Sequence, residues 1–213
     1  MNGFGIGPLL SGAALTLALG ALGIAFGLTL GLVLAILRWR NPPVIGRLLA
    51  VYVSLVRATP LLTLALVVFF VTPALGYDIP ATVAAVVALT VNTSAFNCEI
   101  WRAGLDNFPR DQLDAARAAG MPRGLLLRRI MLPQIARASL PALVNEMTVL
   151  IKTSPAVSVI GIVDLTRAAV RIGADTYRPL PPLIVALVLY VTIVFAIVSL
   201  QRRLERRLSA RYA

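Results

Sequence analysis

The sequence contains no histidine and a single cysteine, Cys98, and only 14% of its 213 residues are charged. Without histidine, the chain has no imidazole general base, no histidine-ligated metal and no Ser-His-Asp triad. One cysteine cannot form an intrachain disulfide. Hydrophobic residues make up 59% of the chain, whereas soluble domains are roughly 45–50% apolar and about 25% charged. This composition argues strongly against a soluble globular enzyme, excludes a disordered chain and indicates a membrane protein.

Basic residues outnumber acidic ones by 20 to 9, which gives a formal net charge of +11. In a soluble protein this excess would indicate nucleic-acid binding. Here the basic residues lie between and after apolar segments, and no aromatic-rich basic domain accompanies them. We therefore interpret the charge as positive-inside membrane topology.

The apolar segments predict an all-α, polytopic membrane bundle of about five helices, formed by a single domain of residues 1–213. A span needs about 20 largely apolar residues. The predicted spans are residues 12–37, 59–75, 79–100, 140–159 and 180–200. Arg57 and Pro60 interrupt the second apolar segment, so we expect residues 48–56 to form an approach helix along the interface, with Arg57 extending to the headgroups.

The arginines are distributed unevenly between alternate loops. The side that carries few of them has Arg167, Arg171 and Arg178. The other side has fifteen, namely Arg38, Arg40, Arg47, Arg102, Arg110, Arg117, Arg123, Arg128, Arg129, Arg137, Arg202, Arg203, Arg206, Arg207 and Arg211. The asymmetry predicts that the N-terminus is outside and the C-terminus is cytoplasmic.

Several residues in or near the predicted spans have expected structural roles. Trp39 and Trp101 are expected at the cytoplasmic interface, as part of an aromatic belt. Cys98 is expected to be a small packed side chain. Glu99 and Arg102, three residues apart, are expected to form a local ion pair.

Three glycines in the first predicted span, Gly23, Gly27 and Gly31, repeat at intervals of four residues. This spacing places them on one face of a helix, where small residues permit close helix–helix packing in lipid. The face can pack within the chain or against a second subunit, and the spacing is compatible with both.

The segment 103–137 between the third and fourth spans is longer than a simple connection requires. Pro109 can occupy the first turn of a helix. Leu113, Ala116 and Gly120 then fall on one face of that helix, and Gly120 is expected to end it in a left-handed cap.

A second short helix is predicted to begin at Pro122 and to end at Pro133. A rigid helix-turn-helix of small and basic residues suits docking into a groove of a cytoplasmic partner. It also suits an interfacial helix pair that lies on anionic lipid. The spacing alone favours neither interpretation.

The residues of this loop closely resemble the EAA loop of ABC-importer permeases, which reads EAA, three residues, G, nine residues and I-x-LP. The corresponding residues here are Asp114-Ala115-Ala116, Gly120 and Ile130-Met131-Leu132-Pro133. Four further stretches resemble the polar-amino-acid branch of that family. They are Arg57-Ala58-Thr59-Pro60-Leu61-Leu62, Cys98-Glu99-Ile100-Trp101-Arg102-Ala103-Gly104, Leu140-Pro141-Ala142-Leu143-Val144-Asn145, and Lys152-Thr153-Ser154 with Ser158-Val159-Ile160-Gly161. The resemblance extends over about residues 10 to 205, in the same order as in the family.

The sequence departs from the family pattern at three positions. Asp114 stands where the family usually has Glu, and Asp111 stands where it usually has Gly before Gln112. Pro155, where Leu is common, is expected to kink the fourth span.

The resemblance implies that the loop couples the bundle to a separate ATPase dimer, which binds ATP and magnesium. It also implies a second permease subunit, identical or paralogous, and an extracellular or periplasmic solute-binding protein. The chain itself has no G-x-x-x-x-G-K-[ST] sequence for phosphate binding, because its only lysine, Lys152, has no nearby glycine before it. It is therefore not expected to be an enzyme by itself. The predicted coupling residues are Gln112, Asp114, Ala115, Ala116, Gly120 and Met121.

Polar residues inside the spans are candidates for a substrate pathway. For Glu146, the alternatives are contact with solute and pairing with an arginine of another helix. For Asn92 and Ser94, they are contact with solute and helix–helix hydrogen bonds. Thr153 and Ser154 are expected either to shape a gate or to bond back to their own helix.

Asp164, near the predicted outer face, could attract a cationic substrate, but pairing with Arg167 in water is the favoured expectation. The acidic side chains of Glu146 and Asp164 weakly favour a cationic amino acid.

The leading hypothesis is a permease subunit that imports a polar amino acid across the bacterial cytoplasmic membrane. The alternative is a self-sufficient channel or secondary carrier, although the inverted repeats expected of a carrier are not evident. A third class, an intramembrane enzyme, is disfavoured because the sequence has no histidine and no G-x-S-x-G of a serine hydrolase.

Overall fold

The computed structural model describes residues 5–40 and 42–209, with side chains up to residue 203. Over these residues the regular structure is helical, as predicted. The helices are α1 (Gly7–Trp39), α2 (Ile45–Ala58), α3 (Leu61–Ala74), α4 (Ala81–Asp106), α5 (Arg110–Ala118), α6 (Arg123–Leu126), α7 (Leu132–Thr153), α8 (Leu165–Thr176) and α9 (Leu180–Ser209). A π-helical turn, Leu127–Met131, joins α6 to α7, and a 3₁₀ segment, Ser154–Ile160, follows α7.

Four helical runs of the described chain are long and apolar enough to cross a membrane: α1, α4, Arg123–Ile160 and Leu180–Arg203. A fifth crossing requires α2 and α3 together, and these two helices are bent by 112° at the residues between them. The 14 residues of α3 extend over about 21 Å at 1.5 Å per residue, less than the bilayer core of about 30 Å. The predicted approach helix and second span thus correspond to two separate helices, α2 and α3, with a sharp bend between them.

The helix that begins after Pro122 does not end at Pro133, contrary to the sequence-based expectation. It continues through the π turn into α7, where Pro133 occupies the first turn. The amide of Leu132 donates to the carbonyl of Leu127, five residues back. This widened turn lies directly before the proline, which has no N–H to donate to an α-helical bond. At the far end of α7, Pro155 lies where the helix changes from α to 3₁₀.

The glycine face of α1 packs against α4 within the chain. A methyl group at Gly27 would lie 2.6 Å from the Cβ of Thr93, closer than side chains approach one another. Gly23 and Gly31 have equally close neighbours on α4, which are Leu89 at 2.7 Å and Asn97 at 2.8 Å. Of the two interpretations left open by the spacing, packing within the chain is confirmed, and this face is covered before any second subunit can reach it.

The hydrophobic core at one end of the bundle includes the C-terminal half of α4 and the short helices that follow it. Trp101 is 6% exposed and packs with Leu105, Phe108 and Met131, so its expected position in an interfacial belt is wrong. The segment after α4 folds back over this end of the helix and covers the indole. Cys98 is fully buried in the same core, as expected.

Helix α8 was not predicted, and Asp164 caps its N-terminus by accepting a hydrogen bond of 3.0 Å from the amide of Arg167. The expected pairing of Asp164 with the Arg167 side chain in water is wrong, because Asp164 is 1% exposed. Its carboxylate accepts a hydrogen bond from Ser158, and the Arg167 guanidinium donates to the Ser158 carbonyl. An aspartate directly before a helical pattern is a start signal that could have predicted this cap.

Candidate functional site

The first short helix of the 103–137 segment, α5, ends in a left-handed cap. Gly120 has φ +72°, which confirms the predicted cap. Its amide donates to the Arg117 carbonyl at 2.9 Å, and the Met121 amide donates to the Ala116 carbonyl at 3.0 Å. These two bonds satisfy the carbonyls at the helix end and form a Schellman motif, in which glycine is favoured because a side chain would be strained.

Contacts with the base of α7 hold α5 against the bundle. The Gln134 amide donates to the side-chain oxygen of Gln112 at 2.9 Å. Ala116 is buried, and Leu113 is half-buried against the core. The periodicity predicted that Gly120 shares this face, and that prediction is wrong: Gly120 is exposed, because the chain leaves the helix at the cap.

The six predicted coupling residues lie together. Gln112, Asp114, Ala115 and Gly120 are exposed, and we call them the α5 surface. Asp114 also forms an exposed ion pair of 3.1 Å with Arg117. The remaining two, buried Ala116 and half-buried Met121, lie beneath this surface. The arrangement provides a small, capped helix that another protein can contact without disturbing the core.

A cavity of about 350 Å³ lies at the break between α2 and α3. Three of the predicted pathway residues line it: Asn92 from α4, and Glu146 and Thr153 from α7. The other lining residues are Arg57, Ala58, Thr59, Pro60, Leu61, Phe96, Val149 and Leu150. We call this space the solute cavity, after the predicted pathway residues that line it.

Arg57 lines the solute cavity and lies over the ring of Phe96, with its guanidinium carbon 5.3 Å from the ring centre. A cation–π contact thus holds this side chain toward α4, and the position of Arg57 relative to the headgroups stays a prediction. A neighbouring cavity of about 620 Å³ is also lined by Arg57 and Glu146, and adds Glu99 and Asn145. Arg57 is thus the arginine of another helix that lies near Glu146, but the two do not form an ion pair. Contact of Glu146 with solute stays a prediction.

Phe96 and Arg57 were missed as cavity residues. Phe96 follows Asn92 by one helical turn, so the spacing could have predicted that both side chains share a face. No local signal places Arg57 against α4, because the break after α2 sets its direction.

The structure does not bring the other predicted pathway residues to the solute cavity. Ser94 forms a hydrogen bond of 2.8 Å with the hydroxyl of Tyr52, the helix–helix alternative. Ser154 donates to a carbonyl of its own helix at 2.9 Å, and Thr153 does so at 3.0 Å, although Thr153 also lines the cavity. Asp164 is buried at the start of α8. Among the described residues, no group of three or more acidic or cysteine side chains could hold a metal ion.

A network of linked ion pairs lies at the C-terminal end of α4, beside the larger cavity. The predicted pair of Glu99 and Arg102 is confirmed, at 2.8 Å. Two further pairs extend it, between Glu99 and Arg38 of α1 and between Arg102 and Asp106. The network joins the end of the first span to α4, and Arg38 could not be predicted as a member because it lies 61 residues from Glu99.

Comparisons with known proteins place the chain among transport proteins. Residues 23–210 match the family described as "Binding-protein-dependent transport system inner membrane component". The arginine transport system permease protein ArtQ of Bacillus subtilis is 37% identical over 203 residues, which cover 95% of this chain and 93% of ArtQ. The L-cystine transport system permease protein TcyB of the same organism is 35% identical, over 94% of this chain and 87% of TcyB. A crystal structure of an amino acid ABC transporter with histidines has a TM-score of 0.86 and 36% identity, over 94% of each chain.

Proposed function

Because the chain belongs to the family of binding-protein-dependent transport system inner membrane components, we propose that it imports a polar amino acid or a related small solute, driven by a separate ATPase. The N-terminus would lie outside and α5 in the cytoplasm, as the arginine distribution predicts. The permease itself is a transport component, and ATP and magnesium would be bound by the partner.

The observation that carries the choice of solute is that Arg57 and Glu146, two opposite charges, line one cavity. An α-amino acid carries a carboxylate and an ammonium group on one carbon. A guanidinium binds the first with charge-assisted hydrogen bonds, and a carboxylate binds the second. The cavity, at about 350 Å³, falls within the usual range of small-molecule sites, roughly 300–1,000 Å³. Arginine, cystine and histidine, named for the related proteins, all share this group.

The α5 surface would be the contact with the ATPase. Its exposed residues stand on a helix whose end is closed by a Schellman cap and whose Gln112 is bonded to α7. A rigid helix of this kind would transmit a displacement caused by the partner to α7, the helix that carries Glu146. Because α7 also lines the solute cavity, a movement of α5 would open or close the cavity to the solute.

A second permease subunit, either a second copy or a paralogue, would complete the pathway, and a solute-binding protein would deliver the solute from outside. Large apolar side chains of α9, among them Leu187, Val191 and Phe195, are exposed along the described chain. Such a surface must face lipid or another apolar chain.

The test is transport by the chain reconstituted in vesicles with its ATPase and solute-binding protein. Uptake of a labelled polar amino acid is expected to require hydrolysable ATP and to persist when an uncoupler collapses the membrane potential. A non-hydrolysable ATP analogue serves as the control. Uptake by the chain alone, or uptake that follows the membrane potential without ATP, would contradict the proposal.

A further inference from the structure

A second polar cavity, of about 520 Å³, lies where the end of α1 meets α5 and α6. It shares no lining residue with the solute cavity. Its lining consists of Trp39, Arg40, Leu113, Arg117, Arg123, Gly124, Leu126 and Leu127. We call it the arginine cavity.

The positive charge of the arginine cavity favours the binding of an anion. Three arginines line it, and none of the described residues in the lining is acidic. Arg117 is paired with Asp114, on the exposed side of α5. In the described part of the chain, no carboxylate lies within ion-pair distance of Arg40 or Arg123. Guanidinium groups bind phosphate in a planar, bidentate geometry, so a phosphate group matches this set of side chains.

The remaining lining indicates where the phosphate comes from. Trp39 is the last residue of α1, a membrane-spanning helix, and tryptophan is favoured at the level of the lipid headgroups. Leu113, Leu126 and Leu127 add apolar surface beside the arginines. A site that is basic on one side, apolar on the other and placed at the end of a span suits a lipid better than a free ion.

We propose that the arginine cavity binds the phosphate of an anionic phospholipid from the leaflet in which α1 ends. The bound lipid connects α1 to the helix that carries the α5 surface, because Leu113 and Arg117 belong to α5. The helix pair then contacts both lipid and a protein partner, on different sides. This inference goes beyond the proposed transport function and does not depend on it.

The two tryptophans of the chain allow a direct binding test. In a Trp101→Phe background, Trp39 is the only tryptophan and reports on the arginine cavity. The purified full-length chain in detergent is titrated with brominated phosphatidylglycerol or brominated phosphatidylcholine, which quench tryptophan fluorescence. We expect saturable quenching by phosphatidylglycerol at a concentration about tenfold lower than by phosphatidylcholine.

Substitution of the two arginines without a described ion pair tests the assignment. Arg40→Gln with Arg123→Gln is expected to weaken phosphatidylglycerol quenching about tenfold and to remove the preference over phosphatidylcholine. Arg128→Gln, an exposed arginine of the π turn outside the cavity, is the matched control and is expected to leave binding unchanged. Native mass spectrometry of the chain with both tryptophans gives a second measurement, in which the Arg40 and Arg123 variant retains less phosphatidylglycerol.

Four results would overturn the proposal. Equal quenching by the two lipids, or an equal loss in Arg128→Gln, would show that the cavity does not select an anionic headgroup. Displacement of the lipid by millimolar inorganic phosphate would show a site for free phosphate. Loss of ATPase binding in the Arg40 and Arg123 variant, with lipid preference retained, would assign the cavity to the protein partner.

Discussion

The guanidinium of Arg57 on α2 lies 5.3 Å from the centre of the Phe96 ring on α4. Arg57 is next to the last residue of α2, and the chain turns by 112° between α2 and α3. An aromatic ring holds a cation without neutralising its charge. The charge of Arg57 therefore remains available at the solute cavity, which Glu146 lines from α7. Two opposite charges from different helices thus border one space at the break in the second span.

This pairing predicts that Glu146→Gln and Arg57→Gln each weaken solute binding. Each substitution removes one charge-assisted contact, worth about 1.5–3 kcal/mol, so the half-saturation concentration for uptake should rise at least about tenfold. Uptake kinetics of the reconstituted transporter provide the measurement. Asp175→Asn, an exposed acidic residue of α8 outside the cavity, is the control. Unchanged kinetics in both cavity variants would refute the assignment of this cavity to the solute.

Gly120 offers a test of the α5 surface. Gly120→Arg is expected to abolish transport while the chain still inserts into the membrane, because no atom lies within 4 Å of the added side chain's first carbon and the arginine projects from the surface. Gly120→Asn is the matched control, since asparagine tolerates a positive φ better than other side chains. Solute uptake and the amount of inserted chain are measured together. Uptake at the wild-type rate by the arginine variant would show that the ATPase contacts another surface.

The contact between α1 and α4 predicts a large effect from a single methyl group. Gly27→Ala places its Cβ 2.6 Å from Thr93 and 3.2 Å from the Ser94 amide nitrogen, so the two helices must separate. We expect a loss of about 1–3 kcal/mol of stability, seen as a lower unfolding temperature in detergent. Gly7→Ala, at the exposed start of the same helix with no neighbour within 4 Å, should change stability by less than about 0.5 kcal/mol. Similar melting of the two variants would argue against this packing.

The ion pair between Arg38 and Glu99 is half-buried and joins two spans, so it should contribute more than an exposed pair. A double-mutant cycle with Arg38→Gln and Glu99→Gln is expected to give a coupling energy of about 1–3 kcal/mol in thermal unfolding. The exposed pair of Asp114 and Arg117 is the comparison, with an expected coupling below about 1 kcal/mol. Equal couplings would mean that the pair does not fasten α1 to α4.

The proposed orientation is testable by labelling, because buried Cys98 leaves a low background. Gln112→Cys on α5 should react with a membrane-impermeant maleimide only after the cells are permeabilised. Asp175→Cys on α8 should react in intact cells. Both positions are exposed in the structure, so a difference between them reports on sidedness. The reverse pattern would invert the topology.

Much of this protein is determined locally and could be predicted from the sequence. The helical class follows from the apolar segments, since any membrane-crossing chain must satisfy its own backbone hydrogen bonds. The left-handed cap at Gly120 and the pair of Glu99 and Arg102 depend on residues within one or two helical turns. The resemblance of the loop residues to the EAA loop indicated the permease family, which the family match over residues 23–210 confirms.

Tertiary structure decided the features that depend on residues far apart in the chain. Arg57 meets Phe96 because of a bend, and Arg38 meets Glu99 across 61 residues. Trp101 is buried because a later segment folds over it. The local sequence around each of these side chains was compatible with more than one contact partner in the fold. Only the packing of one helix against another selected among them, because that choice depends on the shape and charge of surfaces contributed by distant segments.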